Sequence, residues 1–198
     1  MPTFSSIKLD NRSIAKLLSP ERIILGIDPG TTVMGYGVIR QTPQQLGVVQ
    51  YGVIHLHRYA SHALKLQKIF ARVHDLVSDF KPDEVALEAP FYGKNVQSML
   101  KLGRAQGVAM AAALAQEVPI TEYAPRKVKQ AVTGHGNASK EQVARMLMSL
   151  LQLPGMPDLL DASDALAVAV CHAYQDKQVA TKPANWAQFL QVHPDRVH

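Results

Sequence analysis

The chain of 198 residues has a single cysteine, Cys171, and no apolar run approaching the ~20 residues needed to cross a bilayer. The lone cysteine excludes a disulfide framework. It sits in an Ala/Val-rich helical run and reads as a buried structural thiol rather than a nucleophile. The length suffices for one sizeable core without disulfides or structural metal, which fits a reducing, cytoplasmic setting. The lack of a long apolar run means that no membrane role is expected. The first twenty residues are basic in places but have no continuous apolar core, so no secretory signal is read there. There is also no internal repeat and no low-complexity segment.

What is present is a modest positive charge, formally +5, and its placement says more than its size. Lysines and arginines concentrate in Lys94 to Arg104, Arg126 to Lys129 and Lys140 to Arg145. Any of these can be an ordinary solvated helix face, but they flank the later members of a set of acids. Asp28 closes one apolar run, ILGID, and Glu88 closes another, VALE. Asp161 and Asp164 stand three apart at the head of a late helix, DASDALAVAV. Taken alone, each acid could be a solvated strand end or a residue complementing a helix dipole. Taken together, acids at two strand mouths facing a helical acid pair suit an oxygen-lined divalent-metal site.

The periodicities supply the framework. Arg22 to Asp28 reads as a central strand buried on both sides, followed by the Asp-Pro-Gly turn. Gly35 to Arg40 and Leu46 to His55 complete a three-strand meander. Leu66, Phe70, Val73, Val77 and Phe80 define an amphipathic helix from Ala63, stopped at Lys81-Pro82-Asp83. Val85 to Glu88 follows a crossover helix and is expected parallel to the first strand, which brings Asp28 and Glu88 together. Asn95 to Gln116 predicts a long helix whose small-residue face, Gly103, Gly107 and Ala111, is expected to pack closely. Val118 to Tyr123 is a fifth strand. Pro125 opens a helix, and Ser139 with Gln142 has capping-box spacing. The last core helix is expected from Asp161 to about Tyr174. Residues 1–21 read as a mobile extension, 22–176 as one α/β domain, and 177–198 as a peripheral tail with Trp186 and Phe189 docked on the surface.

If the four acids share one pocket, two carboxylates about 4 Å apart repel by roughly 4 kcal/mol at an effective dielectric of 20, and a cation must lie between them. All-oxygen ligands without a His/Cys cluster select Mg²⁺ or Mn²⁺ over Zn²⁺. Two such ions suit in-line hydrolysis of a nucleic-acid phosphodiester. His55, His57 and His74 lie on other elements and read as surface residues. His135, in the loop Thr133-Gly-His-Gly-Asn-Ala, is a candidate phosphate contact.

The chain resembles the bacterial RuvC Holliday-junction resolvases of the RNase H-like superfamily. The resemblance runs from about Ile23 to Tyr174 and is carried by ILGIDPGTTVMGYGVIR, LEAPFYGKNVQSMLKLGRAQGVA, YAPRKVKQAVTGHGNASKEQV and DASDALAVAVCH. It implies an RNase H-like mixed five-stranded sheet flanked by helices on both faces. It also implies that Asp28, Glu88, Asp161 and Asp164 are catalytic metal ligands for two Mg²⁺ ions per site, with Mn²⁺ able to substitute. Some members of the family have His at the position of Asp161, so the set here is all carboxylate. Phe91 matches an aromatic that stacks on bases at the crossover, and Lys129 and Lys140 match basic residues tied to DNA binding and activity. Tyr92, Lys94 and Arg126 complete the expected DNA-contact set. The implied partners are four-way junction DNA, a second copy of the chain in a homodimer, and the RuvA and RuvB branch-migration proteins.

Three other readings share parts of this pattern. A strand leading into Asp-x-Gly-Thr-Thr also describes the phosphate hairpin of actin/Hsp70-type ATP-binding domains, but those need a second domain and a second phosphate loop. A catalytically silent junction-binding domain need not keep four carboxylates. An RNase H-like nuclease acting on RNA would share the metal site without the aromatic and basic set around Phe91 and Lys129.

Overall fold

The sequence RIILGID forms β1, Arg22–Asp28, in which Ile24, Leu25 and Ile27 are at most 1% exposed. A strand this apolar on both sides must be covered on both faces, and it occupies the centre of the sheet. The computed structural model describes residues 21–90, 95–153 and 160–179. β2 (Val33–Gln41) and β3 (Leu46–His55) continue from β1 as an antiparallel meander, and β4 (Glu84–Glu88) and β5 (Ile120–Tyr123) lie parallel to β1. The order is β3-β2-β1-β4-β5, the mixed five-stranded sheet expected from the sequence.

Helices α1 (His62–Phe80) and α2 (Val96–Leu114) cover one face. The other face carries α3 (Pro125–Thr133), α4 (Lys140–Leu150) and α5 (Leu160–Val179). The local signals for their ends act as the sequence suggests. Ser61 caps α1 by accepting from the Leu64 amide, Pro125 occupies the first turn of α3, and Ser139 and Gln142 form a reciprocal capping box on α4.

Three expectations are corrected. The buried stripe of α1 is Ile69, Val73, Leu76 and Val77, while Phe70 is 41% exposed and stacks on His74. Spacings of three and four admit two neighbouring stripes, and the more continuous aliphatic one faces the sheet. The small-residue face of α2 does not pack inside the chain: Gly103, Gly107 and Ala111 are exposed, and a Cβ on either glycine would meet nothing within 4 Å. Ala105, Ala109, Ala112 and Ala113 form the packing face instead. The last helix also continues past Tyr174 to Val179. The expected N-terminal extension and the tail with Trp186 and Phe189 lie outside the described residues.

α5 is the core of the second face. Nearly every residue from Ala162 to Ala173 is buried, so this helix is enclosed on all sides rather than amphipathic. Its backbone rests on strand glycines. A Cβ at Gly26 would lie 2.2 Å from the Ala165 carbonyl oxygen, and one at Gly35 would lie 1.9 Å from the Asp161 carbonyl oxygen. Gly26→Ala should therefore lift α5 from the sheet and destabilise the protein by about 1–3 kcal/mol, as overpacking does. At roughly 2–4 °C per kcal/mol for a chain of this size, thermal denaturation reads the change directly. An unaltered melt would mean that the helix is not seated on the sheet in this way.

Candidate metal centre

The parallel register of β1 and β4 pairs Ile27 with Leu87, so the next residues, Asp28 and Glu88, end adjacent strands at one edge of the sheet. α5 begins at the same edge, and its close approach through Gly35 sets Asp161 and Asp164 opposite Asp28. Carboxylate oxygens of Asp28, Asp161 and Asp164 all lie within 4.8 Å of one another. Glu88 stands outside that trio. It shares with Asp28 and Asp164 a cavity of about 170 Å³ that Lys129 and Lys140 also line. The two lysines reach it from different helices: Lys129 projects from α3, and Lys140 is the first residue of α4.

Burial pushes the Asp28 carboxyl up to about 8, helped by the negative fields of Glu88, Asp164 and Asp161 and opposed by Lys140. Glu88 is raised to about 7, again chiefly by burial and then by Asp164, with Lys140 and Lys129 acting against the shift. Lys140 donates to Asp164 Oδ2 at 2.5 Å, and this hydrogen bond together with the surrounding acids holds its ammonium above the usual lysine range. The centre is thus a set of carboxylates short of positive charge, which Lys140 and Lys129 supply only in part. Oxygen donors on three sides of one point, with a high affinity for protons, fit a hard divalent cation.

Other predicted residues fall elsewhere. Arg126 is exposed on α3 and packs along the following loop, where a Cβ on Gly136 would meet its Cγ at 2.6 Å. His135 is exposed and lines a separate cavity of about 490 Å³ with Asn137, Gln142 and Arg145, so the structure does not join it to the acids. His57 and His74 are exposed and His55 is half-buried. Cys171 is buried, and burial pushes its thiol up to about 11, as suits an inert structural residue. Phe91, Tyr92 and Lys94 lie outside the described residues.

Sequence reasoning missed the glycines that seat α5, although a strand with Gly at alternate positions opposite an Ala-rich helix is a readable sign of close approach. It also missed a polar cluster behind the site. His172 on α5 contacts Glu84, which pairs with Arg22 at 2.7 Å, and the other ring nitrogen of His172 lies 2.8 Å from the Tyr123 hydroxyl.

Comparison with known proteins gives a consistent answer. The family described as "Crossover junction endodeoxyribonuclease RuvC" matches residues 24–172. A relative of that name from Cytophaga hutchinsonii is 59% identical over 89% of this chain and 88% of its own length. One from Christiangramia forsetii is 52% identical over 96% of this chain and 100% of its own length. Among solved structures, Thermus thermophilus RuvC in complex with a Holliday junction substrate is similar, with a TM-score of 0.75. It is 33% identical, and the match covers 80% of this chain and 96% of that one.

The raised carboxyls predict a definite pH dependence. Asp28 and Glu88 keep their protons in the folded protein at pH values where the unfolded chain has lost them. Their contribution to stability is complete below about pH 4 and is lost as pH rises towards 8. In chelator, thermal stability should therefore fall between pH 5 and 9, and Asp28→Asn should flatten the fall. Added Mg²⁺ should restore more stability at pH 8 than at pH 5, because protons compete for the same oxygens. Equal restoration at both pH values would argue against carboxylate ligation at this site.

Proposed function

The chain belongs to the RuvC family of crossover junction endodeoxyribonucleases, and on that premise we propose that it resolves four-way DNA junctions by divalent-ion-dependent phosphodiester hydrolysis. The observation that carries the reading is the meeting of Asp28, Asp161 and Asp164 at one point beside a cavity lined by Glu88, Lys129 and Lys140. The four acids would hold two Mg²⁺ ions, for which Mn²⁺ would substitute, and ions held there would supply an activated water and charge stabilisation for the attacking and leaving oxygens.

The chain's own residues prepare the site for that chemistry. Lys140 fixes the rotamer of Asp164 through its hydrogen bond, so one ligand is oriented before any ion arrives. Lys129 and Lys140 offset the negative field that the acids would otherwise present to an incoming phosphate. Val128, Val143 and Ala167 form the apolar walls of the cavity and limit the water around the acids. Phe91, three residues beyond Glu88, stacks on an unpaired base at the crossover, with Tyr92, Lys94 and Arg126 contacting the DNA around it.

One acidic centre per chain cuts one strand, so symmetric resolution calls for a homodimer with a two-fold axis matching that of the junction. The exposed stripe of α2 suits the interface. Val96, Leu100 and Leu114 are 50–66% exposed and align with Gly103, Gly107 and Ala111, with no charge on the stripe. The working partners include RuvA and RuvB, and the setting is cytoplasmic. Among the described residues no helix is long and apolar enough to cross a membrane.

The decisive experiment is cleavage of a synthetic four-way junction beside linear duplex and an RNA:DNA hybrid, with and without Mg²⁺. Only the junction should be cut, and only with the ion; preferential cutting of the hybrid would move the chain to RNA. Asp161→Asn should lower cleavage by more than about 100-fold, beyond the usual effect of losing an outer partner of a metal ligand, while junction affinity stays near that of the unaltered protein. Loss of both in a folded variant would remove Asp161 from the ligand set. Leu100→Asp should give a monomer by sedimentation that no longer makes paired cuts, and a stable dimer of this variant would place the interface elsewhere.

A further inference from the structure

From Pro29 to His74, 46 consecutive residues, the chain has neither Asp nor Glu, although sixteen stand elsewhere. The same stretch contains Arg40, Arg58, Lys65, Lys68, Arg72 and four of the eight histidines. It folds as β2, β3 and the greater part of α1, and the carboxylates on these elements are confined to Asp75 and Asp79 near the end of α1. Arg40 is paired with Glu21 and Arg72 with Asp75, whereas among the described residues Arg58, Lys65 and Lys68 have no carboxylate partner.

These cations are arranged rather than scattered. Arg58 and His57 are exposed on the loop leaving β3, which ends at the same edge of the sheet as Asp28 because His55 pairs with Val33 at the start of β2. Lys65, Lys68 and Arg72, three and four residues apart, form a stripe along one flank of α1. Its first member is tied to the catalytic edge: Lys65 Nζ donates to the carbonyl oxygen of Thr31, three residues beyond Asp28, at 3.1 Å. The stripe lies on the sheet face opposite that of Lys129 and Lys140. The acids therefore have basic surfaces on both sides.

We propose that the β3–α1 surface, through Arg58, His57 and the Lys65–Arg72 flank, binds the phosphate backbone of a second duplex arm while the Lys129/Lys140 side engages the strand to be cut. The proposal rests on the resolvase reading and extends it. A four-way junction presents several arms around one crossover, and a cationic surface continuous with the catalytic edge matches the backbone of a neighbouring arm. Duplex DNA carries one charge per about 1.7 Å of axis, and from Lys65 to Arg72 the helix advances about 10 Å at its standard rise, so several phosphates face the flank. The contacts read backbone charge and add affinity without base preference.

The test is the salt dependence of junction affinity for the double variant Arg58→Ala, Lys68→Ala, measured without divalent ions so that no strand is cut. Each lost phosphate contact should reduce the log–log slope by about 0.9, or about 1.8 for the pair. The cleavage rate at saturating enzyme should stay near that of the unaltered protein, because neither residue lines the metal centre. A melt matching the unaltered protein, with a reduced slope and retained cleavage, supports the second-arm surface. An unchanged slope in a folded variant overturns it and leaves an acidic protein as the occupant to test. If the unaltered protein itself fails to prefer junction over linear duplex, the resolvase reading fails instead, and the two failures are distinct.

Discussion

The close seating of α5 on β1 and β2 is the contact on which the rest of the molecule depends. Helix and sheet ordinarily keep their backbones apart by a layer of side chains, but here Gly26, Gly35 and Gly37 leave that layer out. The Asp161 and Ala165 carbonyl oxygens come close enough to the strands that no Cβ fits between. Short acidic side chains can then bridge the remaining distance: an Asp on α5 meets an Asp on β1 only because both main chains have already approached. The same seating explains why α5 is Ala-rich along its length, since larger residues facing the sheet would lift it away.

This geometry carries an electrostatic cost that folding alone does not remove. Burial and mutual repulsion raise Asp28 to about 8 and Glu88 to about 7, so the centre without a cation holds protons that ordinary carboxylates would release. Lys140 relieves part of the strain by pairing with Asp164, and because it projects from α4 rather than α5 it also ties that helix to the site. A divalent ion would satisfy the same oxygens more completely. Affinity for such an ion and instability without it would then be two consequences of one arrangement, the usual position of a functional site within a stable fold.

Much of this was legible in the sequence because the strongest signals are local. The bounds of β1 and β3 follow from apolar runs ended by Asp-Pro-Gly and by the meander turn, and the parallel pairing of β1 with β4 follows from the crossover helix between them. From that pairing the adjacency of Asp28 and Glu88 was deducible. The misreadings concern which of two adjacent faces is buried. On α1 the sequence offers Phe70 as readily as Ile69, and only packing against the sheet decides between them. On α2 the glycine face looks like a contact surface and is one only if a second molecule supplies the partner. The glycines beneath α5 went unread because their meaning depends on a helix more than a hundred residues away.

The far half of α5 shows how the site is held in register. If only the glycines positioned the helix, it could slide along the sheet by small steps, since Ala-on-Gly contacts discriminate weakly between neighbouring positions. Two directional contacts oppose this. Gln41, at the end of β2, donates to the Ala173 carbonyl oxygen at 3.0 Å, and His172 bridges β4 and β5. Both ring nitrogens of His172 are engaged, Nδ1 by the Tyr123 hydroxyl and Nε2 by the Glu84 carboxylate, so the ring is held from two strands. Buried polar contacts of this kind add little net stability, because desolvation offsets most of what they return. Their value is that a shifted helix leaves them unmade, at a cost of about 1–3 kcal/mol for each buried group left unsatisfied. A helix close to the sheet but free to slide would bring Asp161 and Asp164 near Asp28 without fixing which oxygens meet. The polar contacts two to three turns away select the one register in which they do.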